Sequence, residues 1–96
     1  MKARRIRYRK LVLGKAAIEE RIWAVPQPVS GSAHAYKYSL SLIINGKCVL
    51  RYDNERGKGD HRHFMGREST YAFVSMARLM DDFQAEVQQI LQESEQ

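Results

Sequence analysis

Cysteine is nearly absent. Cys48 stands alone, so the chain can close no disulfide within itself, which fits a reducing compartment. Its place in a strand-like run marks it as a small buried hydrophobe rather than a nucleophile. Long apolar runs are missing too. Leu11-Val12-Leu13 is cut short by Gly14-Lys15, which is no signal-peptide core, and no stretch approaches membrane-spanning length. A cytoplasmic protein with no membrane partner is the expectation. Acids are lacking among Lys2, Arg4, Arg5, Arg7, Arg9 and Lys10, while residues 81–96 carry five acids and no Lys or Arg. With a net charge of +5 overall, the chain outside residues 81–96 therefore carries +10. Charge polarised this way suits a polyanionic partner such as nucleic acid. The plain alternative is a basic N-terminus that serves solubility.

At 96 residues the chain is expected to form one domain, residues 1–96. A domain this small buries roughly 60–65% of its unfolded surface. A surface groove is thus a more natural site than a deep cavity. Punctuation at Gly14-Lys15, Pro26-Gln27-Pro28, Ser30-Gly31-Ser32, Asn45-Gly46, Gly57, Gly59 and Gly66 divides the chain. The expected fold class is α+β: a four-stranded antiparallel meander with a C-terminal helix packed on one face. Strands are expected at about 4–13, 17–25, 34–44 and 47–53, a polar loop over 53–67, and a helix over about 76–92.

Period-two alternation sets the expected faces. Ile6, Tyr8 and Val12, then Ile18, Ile22 and Ala24, then Tyr36, Tyr38, Leu40, Leu42 and Ile44, then Cys48, Leu50 and Tyr52 share an apolar even face. Arg5, Arg7, Arg9, Arg21, Lys37 and Arg51 then share the odd face, a wet platform for a phosphate backbone. Asn45-Gly46 signals a hairpin. A three-residue loop, pairing Leu42 with Cys48 and Leu40 with Leu50, keeps the apolar faces together. Ser75 suits a helix N-cap, with Val74 and Leu79 as a hydrophobic staple. Leu79, Phe83, Val87, Ile90 and Leu91 form the helix stripe, read as core.

The run Asp53 to Arg67 is almost wholly polar, charged or glycine, and long polar loops on a rigid sheet often carry function. In an extended segment His61 and His63 point the same way, roughly 6–7 Å apart. One can act as base and the other as acid on RNA, whose 2′-hydroxyl is a built-in nucleophile. Arg56, Lys58, Arg62 and Arg67 are candidate cations for the phosphate, and Gly57 and Gly59 would bring backbone N–H groups close to it. Asp53 or Asp60 would orient a histidine. Two other readings compete. Asp60, His61 and His63, with Asp53 as a further candidate, could hold a metal, but H-x-H with one carboxylate is a weak signal because a closed site usually needs a fourth ligand. Alternatively the loop is knitted by Asp–Arg pairs around solvated histidines. His34 stands apart, either as a strand-edge polar residue or as a recruit to the site.

The run Arg51-Tyr52-Asp53-Asn54-Glu55-Arg56-Gly57-Lys58-Gly59-Asp60-His61-Arg62-His63 is distinctive. So is the stretch holding Trp23, Pro26, Pro28, Val29, Gly31-Ser32, His34 and Tyr36-Lys37-Tyr38, followed later by Phe73-Val74-Ser75 and Asp82-Phe83. Over roughly residues 18–90 the chain resembles the TumE family of toxin–antitoxin toxins. The resemblance implies a small toxin held in check by a cognate antitoxin, typically a helix-turn-helix protein. By analogy between toxin classes it implies an RNA-cleaving enzyme. Three functions follow as expectations: a metal-independent RNA endonuclease with no cofactor; a non-enzymatic RNA- or ribosome-binding module; or a metal-dependent nuclease or nucleotidyl-modifying enzyme. The acidic helix is free to face a second subunit, so a homo-oligomer is a further expectation.

Overall fold

The computed structural model describes residues 2–94. Six strands run in order: β1 (Arg4–Leu13), β2 (Ala16–Ala24), β3 (Tyr36–Ile44), β4 (Lys47–Glu55), β5 (Gly59–Phe64) and β6 (Arg67–Thr70). The helix α1 (Met76–Ser94) closes the chain. The strands form one antiparallel meander, β1-β2-β3-β4-β5-β6, with each strand beside its sequence neighbour. The α+β class and the C-terminal helix stand as expected. The strand count is corrected from four to six.

The extra strands lie within the expected loop 53–67. β4 continues through Glu55, the chain turns over Arg56-Gly57-Lys58, and β5 pairs back on β4 with Asp53 opposite His61 and Arg51 opposite His63. A second tight turn, at Met65 (φ 50°) and Gly66 (φ 82°), leads into β6. A polar run forms strands here because its backbone groups pair in a ladder while its side chains find partners on both faces.

The core lies between the even face of the sheet and α1. Ile18, Ile22, Tyr38, Leu40, Leu42, Leu50 and Tyr52 meet Leu79, Phe83 and Val87. The helix stripe is as expected, and Ser75 Oγ accepts the Arg78 N–H (3.0 Å) as N-cap. The staple does not form, since Val74 is 74% exposed.

Two register details depart from the sequence reading. Leu42 pairs with Leu50, not Cys48. The turn has two residues, Asn45 (φ 51°) and Gly46 (φ 79°), and the extra residue, Val49, is absorbed as a bulge on β4 opposite the step from Leu42 to Ile43. The two-residue turn sets Cys48 opposite Ile43 on the outer face, so it is exposed rather than buried, and the bulge returns Leu50 to the core side. The turn Gly14-Lys15 is likewise two residues long, so Leu13 pairs with Ala16 and odd positions of β1 share a face with even positions of β2. Arg9 therefore sits opposite Glu20 and Arg7 opposite Ile22, on the helix side, which corrects their expected place on the odd face. Both reach the buried Glu20 carboxylate, Arg7 at 2.9 Å and Arg9 at 3.7 Å. A bulge between Arg5 and Arg7 restores Arg5 to the odd face, opposite Trp23.

Candidate functional site

The face away from α1 is open. Its register aligns one row across all six strands: Tyr8, Arg21, Ser39, Asp53, His61 and Thr70 are successive cross-strand neighbours from β1 to β6. A parallel row runs through Glu19, Ser41, Arg51, His63 and Glu68. Of the expected nucleic-acid cations, Arg5, Arg21, Lys37 and Arg51 lie on this face. Arg7 and Arg9 do not, and Arg67 lies opposite Phe64 on the helix side.

His61 and His63 share the open face, with ring centroids 6.5 Å apart. The His61 Nδ1–H donates to the Gly59 carbonyl (3.0 Å), which leaves Nε2 as the ring nitrogen turned away from the backbone. Glu68 Oε1 lies 3.6 Å from His61 Nε2 and 3.7 Å from Lys58 Nζ, which brings Lys58 beside the first histidine. Asp53 Oδ1 lies 3.5 Å from His63 Nε2, and Arg51 Nε lies 3.0 Å from Asp53 Oδ2. Asp53 Oδ1 and Arg51 Nε are buried, and neither completes a hydrogen bond of good geometry. Arg56 is exposed in the β4–β5 turn.

Asp60 and Arg62 alternate with the histidines and project toward α1. Asp60 accepts hydrogen bonds from Ser32 Oγ (2.8 Å), Tyr38 Oη (2.6 Å) and His34 Nε2 (2.7 Å). His34 Nδ1 accepts the Tyr36 N–H (3.2 Å), which leaves the proton on Nε2, and the ring stacks on Phe73 at 3.7 Å. Both nitrogens of His34 are therefore occupied within the fold. Burial alone would raise the Asp60 pKa, but the three donated bonds outweigh it and hold the carboxyl below its ordinary value. Burial, reinforced by the bond to Asp60, pushes the Tyr38 hydroxyl well above its ordinary value.

Arg62 donates to Glu86 on the helix, Nε at 2.8 Å together with a close Nη2 contact, and Tyr52 Oη donates to the same carboxylate. This pairing raises the Arg62 pKa, and burial with the Glu86 bond raises that of Tyr52. Asp60 thus stands apart from His61 and His63. Among the described residues no cluster of three or more His, Cys, Asp or Glu is placed to hold a metal ion.

The glycines of the turn have structural work. The Gly57 N–H donates to Ser30 O (2.7 Å), and Gly59 lies against Gly31, where an added Cβ would fall 2.6 Å from the Gly31 carbonyl oxygen. The expected approach of these two glycines to a phosphate is replaced by docking of the 25–35 loop. Asn54 completes that joint. Its amide accepts the Tyr38 N–H (2.9 Å) and donates to Tyr36 O (2.7 Å), continuing the β3–β4 ladder past its last backbone pair.

Residues 2–91 match the family model described as Toxin TumE. The chain belongs to the TumE family. TumE proteins are toxins of toxin–antitoxin systems, and membership implies a cognate antitoxin as partner. No curated protein and no solved structure gives a significant match. Among the described residues no helix is long and apolar enough to cross a membrane. Glu68, Tyr8 and Trp23 also lie on the open face, and none of them is among the residues expected there from the sequence. Trp23 already stood at an odd position, which was the available signal. Tyr8 was assigned to the core.

Proposed function

We propose that this TumE toxin is a metal-independent RNA endonuclease whose site is the open sheet face around His61 and His63. The observation that carries the reading is the pair itself. Two imidazoles on one strand stand 6.5 Å apart, one with Nδ1 anchored on the Gly59 carbonyl and the other with Nε2 facing Asp53. His61 Nε2 takes the proton of a ribose 2′-hydroxyl. The freed oxygen attacks the adjacent phosphorus, and the P–O5′ bond breaks. Protonated His63, held at Nε2 by Asp53, gives its Nδ1 proton to the leaving oxygen. The products are a 2′,3′-cyclic phosphate and a 5′-hydroxyl end.

Arg51 and Lys58 supply positive charge to the phosphorane-like state, while Arg21, Lys37 and Arg5 hold the flanking backbone. Asp60 and Arg62 act through the fold. The antitoxin, a helix-turn-helix protein in this reading, neutralises the toxin by setting acidic side chains against this basic face. The test is cleavage of mixed-sequence RNA in excess chelator. Wild type cuts, and His61→Ala or His63→Ala lowers the rate by about 10²–10⁴. Full activity in both variants overturns the assignment.

A further inference from the structure

The open face carries two large aromatic side chains that the fold does not need. Tyr8 is 49% exposed and Trp23 37% exposed, and neither belongs to the core cluster under α1. Cations surround both rings. The Arg5 and Arg21 guanidinium carbons lie 5.5 and 5.8 Å from the Tyr8 ring centroid, and Lys37 is the direct cross-strand neighbour of Trp23. A cleft of about 310 Å³ runs from Trp23 past Lys37 and Ser39 to Asp53, which itself borders His63. Tyr8 heads the cross-strand row that reaches His61, four interstrand steps or about 19 Å away. Along this path the aromatic rings and their cations on β1 to β3 come first, Ser39 and Asp53 follow, and the path leads to the paired histidines.

We propose that Trp23 and Tyr8 are a base-stacking platform for single-stranded RNA, laid across the strands so that the bases rest on the two rings and the backbone runs to His61 and His63. The inference rests on the ribonuclease reading of the same face and adds its substrate class. Stacking on a protein ring needs an unpaired base. A duplex keeps its bases within its own stack and would offer this face only phosphates. Arginines beside the rings suit a stacked base and its phosphate together.

Trp23 is the only tryptophan, so its fluorescence reports the site directly. The experiment titrates the full chain with a short single-stranded 2′-O-methyl oligonucleotide, which cannot be cleaved, and follows indole emission with anisotropy of the labelled strand. The expected result is saturable quenching by the single strand and none by the same sequence as a duplex. Trp23→Ala and Tyr8→Ala are each expected to bind roughly tenfold or more weakly, while Trp23→Phe retains most affinity. Binding with unchanged indole emission, equal affinity in Trp23→Ala, equal quenching by the duplex, or no binding at all overturns the platform. Quenching without cleavage of an all-ribose strand sinks the ribonuclease reading and leaves the platform standing. Cleavage with a silent indole does the reverse.

Discussion

Replacing Asp60 tests whether its carboxylate serves the fold or the chemistry. Its side chain is 9% exposed and accepts from Ser32, His34 and Tyr38, and Tyr38 is itself only 2% exposed. A hydrogen bond to a charged group contributes about 1.5–3 kcal/mol against about 0.5–1.5 for a neutral one. Asp60→Asn can still offer one oxygen to Tyr38 and His34, and its amide can donate to Ser32. It loses charge assistance on these bonds, about 2 kcal/mol in all. Asp60→Ala leaves buried donors without an acceptor and costs about 4 kcal/mol.

In a chain of this size 1 kcal/mol moves the melting temperature by about 4–8 °C, so Asp60→Asn should melt about 10 °C lower and Asp60→Ala lower still. The pH dependence has a definite sign. The folded Asp60 pKa lies below the unfolded carboxyl value of about 3.9, so its contribution is complete above that value and is lost as pH falls through the folded one. The gap between wild type and Asp60→Asn, read by near-UV circular dichroism melts, should be constant from about pH 7 to 5 and close below about pH 4. Melting of Asp60→Asn with the wild type at neutral pH would refute the reasoning. So would a gap that widens in acid.

Other outcomes follow from the same geometry. Gly59→Ala forces a Cβ against the Gly31 carbonyl at φ +78° and should cost at least about 2 kcal/mol, seen as a lower denaturation midpoint. An unchanged midpoint would mean that the 25–35 loop does not dock as described. Arg62→Leu removes the partner of Glu86 in a partly exposed pair and should cost about 1–2 kcal/mol while leaving RNA cleavage intact below the melting range. Loss of cleavage in a folded Arg62→Leu protein would place that guanidinium in the chemistry. Cys48, exposed on the outer face opposite Ile43, should react with one equivalent of Ellman's reagent in native buffer. Reaction only after denaturation would restore the buried assignment.

Where one face was apolar, the fold could be read from residue types. Tyr38, Leu40 and Leu42 on β3 and Leu79, Phe83 and Val87 on α1 alternate with the periods of a strand and a helix, and both elements formed near their expected bounds. β5 and β6 escaped because apolar periodicity carries no signal where both faces are polar. Asp60 and Arg62 are satisfied by partners 22 to 28 residues away, while His61 and His63 lie half-buried on the other face beside Glu68 and Asp53. The facing of β1 escaped for another reason. β1 is exposed almost throughout, so its alternation fixes no parity, and a two-residue turn plus a bulge then decides which arginines stand where. Within the candidate site, the spacing of His61 and His63 alone put both on one face. The same alternation sends Asp60 and Arg62 to the other, a consequence visible only once the run is known to be a strand. Asp53 and Arg51 reached the histidines through register, which no local pattern encodes.

The most direct test of the central claim is whether the substrate's own 2′-hydroxyl does the cutting. Wild-type protein in excess chelator would be given an RNA strand and the same sequence fully 2′-O-methylated, and the product ends would be identified by mass. The expected result is cleavage of the RNA alone, with 2′,3′-cyclic phosphate and 5′-hydroxyl ends. Scission of the methylated strand, or cleavage that appears only with added divalent ion, would contradict it.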